Sequence, residues 1–244
     1  MEETKYASVK MDHPHWSLAW EAGPAKDRPA RIYIGSEKAA KSRTWMTKFN
    51  ITRVVNCTLG CPNKFGDKEY TRLAISDDIN ENLLGKLSRG IRFVEDSHGA
   101  NVLIHCSKGI SRSVSVFIGW LMKMEKLTLR QSFFYVQAKR SVADPNSNFM
   151  RQLMTFELNL FNQPSLTPDD LLPCPFCLKI CFEFALLACN HRCCIHCFKK
   201  LPKNATCSHC SYEEKLLKHN NSVEDLSDFL HTMCPNFEEI KKIE

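Results

Sequence analysis

Cys106 ends an apolar, β-branched run at 101–105 (NVLIH) and opens a short loop, SKGIS, that leads to Arg112 and the apolar stretch 114–122 (VSVFIGWLM). A strand, a loop and a helix in that order aim backbone N–H groups and the positive end of the helix dipole at one point, which attracts a phosphate dianion. The same field favours thiolate over thiol, and a thiolate is a nucleophile able to attack phosphorus. Arg112 can fold back over the loop and grip two phosphate oxygens with its planar fork. Gly109 permits a backbone turn that a side chain would obstruct.

A second group of cysteines has a different pattern. Nine of the thirteen fall between Cys174 and Cys210, whereas Cys57, Cys61, Cys106 and Cys234 are scattered. Three pairs are spaced C-x2-C, and together with Cys189 and His191 they make eight candidate ligands: Cys174, Cys177, Cys189, His191, Cys194, Cys197, Cys207 and Cys210. Tetrahedral zinc takes four soft or borderline ligands, and a two-residue gap lets both sulfurs of a pair face one ion. So short a segment has little core of its own, and metal binding would supply its folding energy. Thirteen is odd and only about 5% of the chain, below the roughly 8–10% of disulfide scaffolds. The first sixteen residues show no apolar signal region, and the stretch 114–122 is less than half of a membrane span, so reduced thiols in the cytoplasm or nucleus are expected.

The nucleophile loop needs a scaffold. Besides 101–105, short β-branched runs at 31–34 (RIYI), 51–57 (ITRVVNC) and 71–75 (TRLAI) read as buried strands. Leu83, Leu87, Ile91 and Val94, and again Phe149, Leu153, Phe156 and Leu160, repeat at helical spacing and read as core stripes. Strands alternating with helices predict an α/β domain with a mainly parallel sheet covered on both faces. That domain should span 28–163, after a polar extension over 1–27 that packs on it. A linker with three prolines follows over 164–173, then the cysteine-rich module over 174–211 and a tail over 212–244 with a short helix around 223–230. Up to position 165 there are 24 basic against 16 acidic residues, and beyond it 9 against 11. A basic first domain suits an anionic substrate.

HCSKGISRS at 105–113, with RIYIGS at 31–36, VVNCT at 54–58 and ADPNSNF at 143–149, resembles the dual-specificity branch of the cysteine-dependent protein tyrosine phosphatases over about residues 28–160. The resemblance implies that Cys106 is the nucleophile and forms a phosphocysteine, that Arg112 binds phosphate, and that His105 helps to hold the loop and its thiolate. It implies that Ser113 assists departure of the sulfur, that the backbone of Ser107, Lys108, Gly109, Ile110 and Ser111 cradles the phosphate, and that Asn146 braces the loop. The leaving oxygen needs a proton, and the family's position for the acid falls on Asp77, with Asp78 as the alternative. Phosphotyrosine, phosphoserine and phosphothreonine in proteins are the implied substrates. Lys108, an added cation in the loop, leaves a phosphoinositide or an RNA 5′-phosphate as the alternative; nucleic acid is otherwise not expected as a partner.

The order of ligands from Cys174 to Cys210 resembles a RING finger. That family interleaves its pairs, which implies one zinc on Cys174, Cys177, Cys194 and Cys197 and a second on Cys189, His191, Cys207 and Cys210. It also implies a ubiquitin-conjugating enzyme as a partner, met through Phe176, and a ligase or adaptor role as the rival to phosphatase chemistry. Ser208 and Ser211 depart from the residues usual beside the last ligands. The phosphatase chemistry itself requires no cofactor.

Overall fold

A computed structural model describes residues 12–22 and 27–171 and, further on, 174–177, 184–187, 189, 191–201, 207 and 210. The chain divides into two compact units, Met1–Leu166 and Thr167–Glu244. Cys181, Cys234, Ser208, His209, Ser211 and the helix expected around 223–230 lie outside the described residues.

The first unit runs β1 (Asp12–His13), β2 (Trp16–Glu21), β3 (Arg31–Ser36), α1 (Glu37–Ala40), α2 (Arg43–Lys48), β4 (Ile51–Asn56), β5 (Glu69–Arg72), α3 (Leu84–Glu95), β6 (Asn101–Cys106), α4 (Arg112–Met124), α5 (Leu129–Lys139) and α6 (Ser147–Phe161). Six strands form one sheet in the order β1-β2-β3-β6-β4-β5. The β3–β6, β6–β4 and β4–β5 pairs are parallel, while β1–β2 and β2–β3 are antiparallel. The sheet is therefore mixed: its β3-β6-β4-β5 part is parallel, as expected, and the antiparallel part comes from the N-terminal stretch that composition marks only as a polar extension.

Aromatic side chains explain that difference. Trp16 sits with its ring centroid 4.6 Å from Phe49, 5.4 Å from Trp45 and 6.1 Å from Tyr33, and Trp20 lies 5.0 Å from Trp120. Aromatic rings of this size anchor a segment through apolar area even where its remaining residues are polar. Strand β5 starts at Glu69 and stops at Arg72, earlier at both ends than the run 71–75 suggested. Ala74 holds a left-handed φ of 49°, which an extended ladder cannot contain, so the chain turns away there.

Strands β3 and β6 are buried at five of six positions each, consistent with helices over both faces. Helix α4 is buried from Ser113 through Met122, which explains why its sequence is apolar all round. Around it lie α3, α5 and α6, each apolar on one side: α3 buries Leu87, Gly90, Ile91 and Val94, and α6 buries Phe149, Met150 and Leu153. A capping box between Thr128 and Gln131 starts α5, and Asn162 in the left-handed region ends α6. Among the described residues no helix is long and apolar enough to cross a membrane.

The second unit contains a 3-10 turn (Pro168–Leu171), an antiparallel pair β7 (Phe184–Leu186) and β8 (Arg192–Cys194), and α7 (Ile195–Phe198). Its core is largely cysteine: Cys174, Cys193 and Cys207 are buried beside Leu187, with Phe176 and Phe198 packed against them.

Candidate active site and metal-ligand clusters

Strand β6 ends at Cys106 and α4 begins at Arg112, so residues 107–111 form a loop at the C-terminal edge of the parallel strands. Gly109 takes φ +70°, and a Cβ there would come within 2.7 Å of the Gly35 carbonyl oxygen. Only glycine passes β3 that closely. The Gly109 N–H donates to Cys106 Sγ at 3.2 Å and the Ser113 hydroxyl donates to the same sulfur at 3.3 Å. Burial works against the thiolate, but the Ser113 hydroxyl, its backbone N–H, the Arg112 charge and the Gly109 N–H together hold Cys106 below the ordinary thiol range. Cys57 is buried too and moves the other way, pushed up first by burial and then by the charge of Cys106.

His105 is 1% exposed, and burial pushes it down to about 4, so its imidazole is neutral at pH 7. It fills space beneath the loop without adding charge to it. Arg112 donates to Ser107 Oγ at 3.1 Å and to the Ile75 carbonyl at 3.3 Å, and its Nε lies 3.4 Å from Asp77 Oδ2.

The two candidate acids have different surroundings. Asp77 Oδ1 accepts from the Ser111 hydroxyl at 2.7 Å and from Asn146 Nδ2 at 3.0 Å, so its carboxylate reaches into the loop that holds Cys106. Asp78 instead accepts from the Ser76 hydroxyl and the Asn80 N–H, which hold it below the usual carboxylate range within its own turn. Asn146 caps α6 by accepting from Phe149 N–H at 2.9 Å while its amide holds Asp77. Lys108 is exposed.

Two residues that no spacing rule marks also matter. Glu81 accepts from Ser76 N–H at 2.6 Å and from Lys86 Nζ at 2.7 Å, pinning the segment that carries Asp77. Arg140 lies in a polar stretch yet is 1% exposed, behind the nucleophile loop. The sequence signal for either is weak, because a buried charged residue reads like a solvated one until its neighbours are known.

The second unit gathers two groups of four: Cys174, Cys177, Cys194 and Cys197, and Cys189, His191, Cys207 and Cys210, with the ligand atoms of each group within 4.8 Å of one another. Zinc–sulfur legs of about 2.3 Å at the tetrahedral angle span an edge of about 3.8 Å. Cys177 and Cys194 sulfurs are 3.8 Å apart, and His191 Nδ1 lies 3.6 Å and 3.4 Å from the sulfurs of Cys207 and Cys210. Burial and then the neighbouring thiols push Cys197 up, and Cys210 up to about 12. Such crowding suits a cation, which would let every sulfur ionise. Phe176, the residue expected to meet a conjugating enzyme, is half-buried against this cysteine core.

A family model described as dual specificity phosphatase, catalytic domain, matches residues 32–159. Dual specificity protein phosphatase Mpk3 of Drosophila melanogaster is 33% identical over 150 residues, covering 59% of this chain and 36% of that protein. Dual specificity protein phosphatase 6 of Mus musculus is 36% identical over 150 residues, covering 59% and 39%. The chain thus spans well under half the length of these relatives. Of solved structures, human DUSP28 superposes with a TM-score of 0.53 at 27% identity, covering 63% of this chain and 99% of that one. A mouse putative dual specificity phosphatase, solved with zinc tungstate, gives 0.52 at 27% identity, covering 65% and 96%.

Proposed function

Because the chain belongs to the dual specificity phosphatase family, we propose that it hydrolyses phosphate monoesters on tyrosine, serine and threonine side chains of proteins, through a phosphocysteine at Cys106. The observation that carries this reading is the convergence on one sulfur of the Ser113 hydroxyl and the Gly109 N–H, with Arg112 and Asp77 at the rim of the same loop. In the first step the Cys106 thiolate attacks phosphorus, the ester P–O bond breaks, and Asp77 hands its proton to the leaving oxygen. Arg112 and the loop amides of residues 107–111 hold the three oxygens whose charge shifts in the transition state. In the second step water attacks phosphorus, Asp77 takes the water's proton, and the sulfur leaves as a thiolate stabilised by the Ser113 hydroxyl. Inorganic phosphate is released.

Hydrolysis of phenyl phosphate, whose leaving phenoxide needs a proton, tests this. Cys106→Ser is expected to abolish turnover, and Asp77→Asn to lower kcat by about 100-fold or more, while Asp78→Asn stays within about threefold of wild type. A wild-type rate equal to that of Cys106→Ser would overturn the reading. Phosphopeptides are the expected substrates; hydrolysis of phosphoinositides alone would shift the substrate class and point to exposed Lys108.

For the second unit the proposal is two structural zinc ions, one on each group of four ligands, supplying folding energy. Phe176 is half-buried against the cysteine core, and the unit is taken as a zinc-stabilised protein-binding module, with a ubiquitin ligase as the second reading. A thiolate nucleophile and a set of reduced ligands both suit the cytoplasm or nucleus.

A further inference from the structure

The carbonyls of the nucleophile loop are all engaged from behind. Ser107 O accepts from Glu37 N–H at 3.2 Å, Ile110 O from Asp144 N–H at 2.9 Å, and Ser111 O from Ser115 N–H at 2.8 Å. The two carbonyls at the crest of the loop have one shared donor, the guanidinium of Arg140: Nε reaches Gly109 O at 2.6 Å and Nη2 reaches Lys108 O at 3.3 Å. The rest of that guanidinium faces the N-terminal strands, with Ser17 Oγ at 3.1 Å, His13 O at 3.4 Å and Pro14 O at 3.5 Å. Arg140 caps the C-terminus of α5 with extended backbone, which frees its side chain to cross beneath the loop. Arginine carries five N–H donors in a fixed plane, and here five acceptors lie within reach of them.

A trans peptide points its C=O and the next residue's N–H in opposite directions. Holding Lys108 O outward therefore turns the Gly109 N–H inward, and that N–H does donate to Cys106 Sγ. Holding Gly109 O outward does the same for the N–H of Ile110. The left-handed φ of Gly109 lets both peptides take this orientation.

We propose that Arg140 is a positioning residue of the phosphate-binding loop: braced by the N-terminal strands, it holds the Lys108 and Gly109 carbonyls outward so that the amides of Gly109 and Ile110 face the thiolate and the bound oxyanion. This deepens the phosphatase reading of the loop and rests on it. The segment at 13–17, which belongs to the antiparallel edge of the sheet, thereby becomes part of the site's support.

The test uses the full chain and inorganic phosphate as the probe, with protection of Cys106 against alkylation by iodoacetate as the readout across pH. Arg140→Met is expected to raise the phosphate concentration for half-protection by about tenfold or more, from two loop amides losing alignment, and to move the pH midpoint of alkylation upward. Arg140→Lys, which can still donate to one carbonyl, should recover part of both effects, and Ser17→Ala should show a smaller loss. A purely structural arginine would lower the unfolding midpoint, followed by tryptophan fluorescence, yet leave the midpoints of protection and alkylation in place; that result overturns the proposal. Should Arg140→Met fail to fold, unchanged protection in both Arg140→Lys and Ser17→Ala overturns it equally. A wild-type thiol that phosphate does not protect overturns it as well, because there is then no cradle to hold open. Wild type that is protected, and loses protection on Arg140→Met, but does not hydrolyse aryl phosphates would sink the phosphatase reading and leave Arg140 in its role.

Discussion

Cys106 owes its low proton affinity to neighbours that outweigh its burial: a hydroxyl, two amides and the Arg112 charge. Ser113 is the neighbour with a second use, since its hydroxyl can stabilise the sulfur when that sulfur is a leaving group. Ser113→Ala should therefore slow breakdown of the phosphocysteine more than its formation. A burst of leaving group followed by a steady rate about 10- to 100-fold below wild type is expected in stopped-flow, the range of one hydrogen bond to a charged atom; loss of the burst along with the steady rate would contradict it. His105 carries a different prediction. Its imidazole is held near pKa 4 when folded against about 6.5 when unfolded. Between those values the unfolded chain binds the extra proton, so stability falls as pH drops from about 6.5 toward 4. Of the order of 2 kcal/mol should be lost between pH 7.5 and 5 beyond what His105→Gln loses. Urea unfolding followed by tryptophan fluorescence measures it, and equal losses in both proteins would mean that His105 is not held neutral.

The segment between β5 and α3 brings Asp77 to the loop, and it is held from three sides. Ala74 turns the chain out of the ladder, Glu81 ties Ser76 N–H to Lys86, and Asn148 and Gln152 of α6 donate to the Glu81 carbonyl at 3.0 Å and 2.7 Å. Glu81→Ala should loosen this segment and so misplace Asp77, the proposed acid, without touching Cys106. The expected signature depends on the leaving group: kcat falls about tenfold for an alkyl phosphate, which needs a proton, and less than about threefold for a nitrophenyl phosphate, which does not. Equal losses for the two would place the effect on the loop of Cys106 instead. Asp77 and Asp78 are adjacent and chemically identical, and spacing alone leaves them as alternatives; contacts with Ser111 and Asn146, 34 and 69 positions away, tie Asp77 to the nucleophile loop.

Cys106 and the two groups of clustered Cys and His side chains occupy separate units of the chain. All four tryptophans, at 16, 20, 45 and 120, lie in the first unit, whereas the eight candidate ligands lie in the second. Native mass spectrometry should find two zinc ions per chain. Removal by a chelator should abolish folded signals from the second unit in NMR spectra while leaving tryptophan fluorescence and aryl phosphate hydrolysis within about twofold of the holoprotein. Hydrolysis lost in step with zinc would show that the first unit depends on the second.

Local order in the chain is sufficient to locate Cys106, Arg112 and Gly109, the strands that became β3, β4 and β6, the stripes of α3 and α6, and the eight clustered Cys and His residues. Each of these is either a short motif on one turn or a periodic run, so its physical basis lies within a few residues. The antiparallel edge, the approach of Asp77 to the nucleophile loop, the neutral state of His105 and the place of Arg140 were decided only by the tertiary structure. Each depends on what is packed against a residue from far along the chain: Trp16 on Phe49 and Trp45, Ser111 on Asp77, and the carbonyls of His13 and Pro14 beneath the guanidinium of Arg140. Burial sets the cost of a charge and the partner sets its relief, and neither quantity is a property of sequence neighbours.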